Sequence, residues 1–107
     1  MFNFMNMIAN HEERCVDNFD NDVFIVDTAL VSDGIKPYET GISHPLYNNE
    51  KWIIVESYDD KKTAQEGHNK WVEIMTSDKL PEYLEDCKNT EIAQFVDNSL
   101  IYYKNNK

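Results

Sequence analysis

The chain predicts an α+β fold: a small, mostly antiparallel sheet of three to five strands packed against one long helix, with short C-terminal helices. Three observations predict it. Residues 52–58, Trp-Ile-Ile-Val-Glu-Ser-Tyr, are β-branched and aromatic and read as a strand. They run straight into 59–76, where apolar residues recur at helical spacing. Upstream, 23–31 is a second β-rich run bounded by turn residues.

The elements follow in chain order. Residues 1–10 admit two readings, a loose arm or a short edge strand that sets Phe2, Phe4 and Met5 against the core. Residues 11–19 alternate weakly and predict a strand. Asp20, Asn21 and Asp22 mark a turn, so 11–19 and 23–31 form a hairpin, which Ser32, Asp33 and Gly34 terminate. Residues 36–44 read as extended, because Pro37 blocks a helix and Tyr38, Thr40 and Ile42 share one face. Residues 45–51 form an Asn-rich loop.

In 52–58, strict alternation places Trp52, Ile54 and Glu56 on one face and Ile53, Val55 and Ser57 on the other. Apolar residues on both faces predict a covered strand. Asp59 or Asp60 caps the helix by accepting from free backbone N–H groups. Ala64, His68, Trp71, Val72 and Met75 form its buried stripe, ending near Thr76. Gly67 costs about 1 kcal/mol mid-helix relative to Ala; close approach to the sheet accounts for it. Pro81 followed by Glu82, Glu85 and Asp86 predicts a short helix over 81–87. Thr90 with Ile92, Phe95, Val96 and Leu100 favours another helix, and 100–103 fits a strand equally well.

At 107 residues the chain predicts one domain, with 1–8 and 104–107 loose. An apolar content of 41% is enough for a core and argues against disorder. Cys15 and Cys87 allow one disulfide by count, but there is no Cys-x-x-Cys motif. The N-terminus lacks the basic flank of a signal peptide, so both thiols are expected reduced, in the cytoplasm of a host cell.

Twenty acids oppose ten bases, for a net charge of −10, and Arg14 is the only arginine. Phosphate backbones repel such a surface, and guanidinium is the group suited to base edges and phosphates. The charge therefore argues against direct binding to nucleic acid or to an anionic membrane, and for a protein partner with a basic surface. Surplus acid also simply confers solubility. Oligomerisation is left open.

No residue set carries a catalytic or metal signature, so the expectation is no enzyme activity, no cofactor and no metal. His11-Glu-Glu-Arg-Cys15 resembles half a zinc helix but lacks a third ligand. Asn18, Asp20 and Asp22 match the start of a calcium loop that then places Val23 and Ala29 where Gly and Glu are required. His68, on the buried stripe, is expected to hold one hydrogen bond through a ring nitrogen.

Two surfaces remain as candidate partner-binding sites. One is the acidic run Asp78, Glu82, Glu85, Asp86 and Glu91, a negative ridge if helical. The other is the segment 37–51, with Tyr38, Glu39, His44 and Tyr47, where exposed tyrosines would anchor an interface.

The words Pro37-Tyr-Glu-Thr-Gly-Ile, His44-Pro with Tyr47-Asn, Trp52-Ile-Ile-Val-Glu, Tyr58-Asp, Gly67-His and Lys70-Trp resemble a group of small uncharacterised bacteriophage-encoded proteins. The resemblance spans roughly residues 8–90. It implies a phage or prophage origin and a host-directed or structural-accessory role, and no enzyme activity. Together with the charge it yields the expectation of a small acidic accessory protein that binds a host protein, as an inhibitor of a nucleic-acid-binding defence or transcription factor. A protein that sequesters a small signalling nucleotide, or a virion or assembly component, stays open.

Overall fold

A computed structural model describes residues 14–31, 36–87 and 100–105. Four antiparallel strands, β1 (Cys15–Asp20), β2 (Ile25–Leu30), β3 (Tyr38–Ser43) and β4 (Ile53–Tyr58), form one sheet in sequence order. Helix α1 (Lys61–Thr76) lies across one face of all four. A two-stranded ribbon, β5 (Tyr83–Asp86) with β6 (Leu100–Tyr103), packs beside β4. The fold is α+β, a small antiparallel sheet under one long helix.

Local chemistry explains the junctions. In the β1–β2 turn, Asp20 Oδ1 accepts from Asp22 N, and Asn21 Oδ1 accepts from Val23 N and Phe24 N. Asp22 takes a positive φ of 71°, a conformation aspartate tolerates better than most residues. The Asn-rich loop makes a single turn at Asn48–Glu50 with φ of 52°, 52° and 69°, held by Ser43 Oγ donating to Glu50 O at 2.7 Å. Asp60 caps α1, its carboxylate accepting from Thr63 N at 2.8 Å.

The register holds the main surprise. Each edge strand carries one extra residue. Cys15 pairs with Ala29 and Asp17 with Thr28, so Val16 is a bulge in β1. Gly41 pairs with Ile54 and Thr40 with Glu56, so Val55 is a bulge in β4. A bulge interrupts period-two alternation. Ile53 and Glu56 therefore both face the helix, while Trp52 and Ile54 stay on the far side beside Gly41. This corrects the expectation that Glu56 shares a face with Trp52 and Ile54.

Two adjacent rows of side chains result under α1. Phe19, Val26, Ile42 and Ile53 make an apolar row, completed by Phe24, Tyr47, Met75 and Leu84. Asp17, Thr28, Thr40 and Glu56 make a polar row, one residue from each strand. The N-terminal half of α1, with Ala64, Gly67 and His68, covers the polar row; Trp71, Val72 and Met75 join the apolar one. Gly67 is required by close approach: a methyl there would enter the Tyr58 ring.

The short helix expected over 81–87 is instead β5. Pro81 and the acids behind it suit a helix start. Burial, however, follows period two: Leu84 and Asp86 face inward, Tyr83 and Glu85 outward. Pairing with β6, which a local reading cannot see, overrides the local preference. Residues 100–103 are the strand alternative. The arm at 1–10, the His11–Cys15 motif apart from Arg14 and Cys15, the turn at 32–34, Glu91 and the helix expected from Thr90 lie outside the described residues.

Candidate functional site

The polar row and the helix residue above it form a continuous hydrogen-bonded relay. His68 Nδ1 lies 2.7 Å from Thr28 Oγ1, which lies 2.6 Å from Thr40 Oγ1. Thr40 Oγ1 is 3.0 Å from the Tyr58 hydroxyl, which donates to Glu56 Oε1 at 3.1 Å. Lys70 Nζ (2.7 Å) and Trp71 Nε1 (2.9 Å) donate to the same oxygen. Thr28 and Thr40 are completely buried, and His68 is 2% exposed.

The relay has a direction. A carboxylate only accepts, so Tyr58 spends its single proton on Glu56. Tyr58 oxygen then accepts from Thr40, Thr40 from Thr28, and Thr28 from His68 Nδ1–H. Glu56, on one edge strand, therefore sets the tautomer of a histidine near the other edge. Neutral His68 carries its proton on Nδ1 and presents Nε2 as a lone pair. Nε2 faces Asp17 Oδ2 across 3.8 Å, too wide for a direct hydrogen bond. Asp17 Oδ2 already accepts from Gln65 Nε2 at 2.9 Å, and Asp17 Oδ1 from Asn18 N at 2.8 Å.

Electrostatics agree with a neutral imidazole. Burial lowers the His68 pKa, with Asp17 and Asp27 pulling weakly the other way. The Gln65 amide holds the Asp17 carboxyl below its usual range against a smaller opposing effect of burial. Burial pushes Glu56 up, but donation from Lys70, Trp71 and Tyr58 and the Lys70 charge outweigh it, so it stays ionised below the ordinary range. Burial drives the Tyr58 phenol far above its normal value, so it remains a donor throughout the physiological range.

Each end of the relay opens on a cleft. At the β4 end, a cleft of about 340 Å³ is lined by Glu56, Asp59, Asp60 and Glu66 together with Lys36 and Lys70. At the β1 end, a cleft of about 480 Å³ lies between Asp17, Asn18 and Phe19 on β1 and the His68–Thr76 side of α1.

The residues expected to bind a partner are dispersed. Tyr47 is not an exposed anchor. It is 1% exposed in the core, its hydroxyl donating to Pro81 O. His44 is also buried, stacked at 5.0 Å on Phe24 and 5.2 Å from Tyr47, with Nδ1 accepting from Leu46 N. Burial lowers its pKa, opposed by Glu50. Glu39 is buried and Tyr38 half-buried, because 38–43 is an inner strand rather than a loop tip. Asp86 is buried on the inward face of β5, so the described acids of this run form no continuous ridge; Asp78, Glu82 and Glu85 remain exposed.

The ribbon instead presents an aromatic pair that no sequence pattern announces. Tyr83 and Tyr103 are cross-strand partners with ring centroids 5.8 Å apart, 47% and 71% exposed, and Ile101 lies on the same face. Two tyrosines so far apart in the chain give no local signal of pairing. Cys15 and Cys87 are in no disulfide. The Cys15 thiol is pushed up by burial and then by Asp27 and Asp17, which suits an unreactive group. No described helix is long and apolar enough to cross a membrane. No family model, curated protein or solved structure matches this chain.

Proposed function

We propose that this chain is a small acidic phage accessory protein that binds a host protein with a basic surface, docking it on the outer face of the β5–β6 ribbon. The observation that carries this reading is the Tyr83–Tyr103 pair, exposed beside Ile101 and flanked by the exposed carboxylates Glu82 and Glu85. Tyrosines dominate interface hot spots because they offer large contact area at low entropic cost. The acids at the rim, within a chain of net charge −10, supply complementarity to a cationic partner and steer its approach. A partner whose basic groove normally holds nucleic acid fits this charge, and its occupation would inhibit it.

The test is capture from a lysate of the bacterial host at low and high salt, comparing the native chain with a Tyr83→Ser/Tyr103→Ser variant. One partner with a basic surface is expected, weakened by salt and lost in the variant. Retention of that partner by the variant, or a partner bound equally in high salt, counts against the ribbon.

A further inference from the structure

We infer that the cleft between β1 and α1 is a binding site for an alkyl-linked cationic nitrogen, a guanidinium or primary ammonium group. The cleft lies at the β1 edge of the sheet, away from the ribbon beside β4, so the inference stands apart from the docking surface.

The first ground is a histidine nitrogen that the relay turns towards the cleft as an acceptor. The relay leaves His68 Nε2 as a lone pair, on a side chain only 3% exposed, at the wall of the cleft. Opposite it, at 3.8 Å, is Asp17 Oδ2, a second acceptor. Among the described residues nothing donates to Nε2. Two acceptors face one another with no proton between them, an arrangement that a group with two or more N–H bonds completes. Asp17 keeps its place through Gln65 and the Asn18 amide, so the acceptor pair is already organised.

The second ground is charge and shape. Asp17 and Glu73 line the cleft, and no lysine or arginine stands among its described lining residues. The cleft at the other end of the relay differs, because it carries its own cations: Lys36 pairs with Asp59 and Lys70 already occupies Glu56. Phe19 and Val72 supply an apolar wall along which an alkyl stem can lie, its charged head at Asp17 and Glu73. Among its described lining residues, the acidic groove formed by Asp20, Asp22 and Glu50 has no such buried acceptor, and it carries no comparable inference.

Such a group comes from two sources, a free small amine or an arginine or lysine side chain of a polypeptide. The test titrates the intact protein with agmatine, with N-acetylarginine N-methylamide, and with the uncharged N-acetylcitrulline N-methylamide, following the His68 imidazole nitrogens by long-range ¹H–¹⁵N NMR. Before titration, the spectrum should show the Nδ1–H tautomer. A saturable shift of Nε2 with agmatine alone assigns a free amine. A shift with both cations assigns a side chain as well. Glu73→Gln, an exposed change that leaves the fold intact, should weaken binding several-fold, and Asp17→Asn at least tenfold. An Nε2–H tautomer, no shift with either cation, or an equal shift with the citrulline compound overturns the inference.

Discussion

The apolar and polar rows under α1 lie side by side on the same sheet face, yet they are held by different forces. In the row through Phe19, Val26, Ile42 and Ile53, stability comes from area removed from water and from close packing with Met75 and Leu84. In the row through Asp17, Thr28, Thr40 and Glu56, each buried hydroxyl is stable only because its neighbour completes it. An apolar contact survives a small change of its neighbour. A relay does not, since removal of one member strands two others. The difference teaches where this small protein keeps its specificity: four aligned polar residues admit one register, whereas an apolar row alone accepts several.

The comparison can be broken most forcefully in the apolar row. Ile42→Ala removes a fully buried side chain from an inner strand and should destabilise by about 2–5 kcal/mol in urea unfolding. Gly67→Ala comes next. The added methyl meets the Tyr58 ring, which Thr40 and Glu56 hold in place, so overpacking of about 1–3 kcal/mol should exceed the gain of about 1 kcal/mol in helix propensity. A more stable Gly67→Ala protein would mean that Tyr58 moves freely and the relay is not rigid.

Thr40→Val keeps shape but cuts the relay, leaving Thr28 without its acceptor; a loss of about 1–3 kcal/mol is expected. The Thr28→Val/Thr40→Val double variant should lose less than the sum of the two single changes, because partners removed together leave fewer orphans. Strict additivity in the double-mutant cycle would show that the threonines act independently and that no relay exists.

The smallest effect is that of pH. His68 and His44 have pKa values below the ordinary 6.5 in the folded state, so between those lowered values and 6.5 the unfolded chain binds more protons. Stability is therefore full above about pH 6.5 and falls as pH drops through the folded values. Asp17 and Glu56, also lowered, extend the loss further into acid. Melting temperatures from pH 7.5 down to 5 should decline, and less steeply for His68→Gln. A flat profile over that range would contradict burial of the two neutral imidazoles.

Much of the scaffold is legible in the order of the residues. The stripe Ala64–Met75 and the Asp60 cap spell out the helix, β-branched runs spell out β2 and β4, and Pro37 with the alternation of Tyr38, Thr40 and Ile42 marks β3. The need for Gly67 to approach the sheet is also readable, though not its contact with Tyr58. His68 falls on the buried stripe with one ring nitrogen bonded, as its spacing predicts. The site is not legible in the same way. Tyr38, Glu39, His44 and Tyr47 look like an exposed segment because aromatic and charged residues mix there. The strand that begins at Tyr38 is flanked on both sides, and the fold closes over Glu39, His44 and Tyr47. The acids of β5 favour a helix locally, and only its distant partner β6 makes it a strand.

By itself the sequence determined the class of fold, the position of the long helix, the acidic surface and the scarcity of guanidinium, since each follows from composition or short-range periodicity. Only the tertiary structure decided that Val16 and Val55 bulge, and with them which acids meet the helix. A bulge depends on the register between strands, and register is settled by the whole sheet closing against α1, not by the residues of one strand. The chain from Glu56 to His68, and the lone pair it leaves facing Asp17, exist because four strands align at that level.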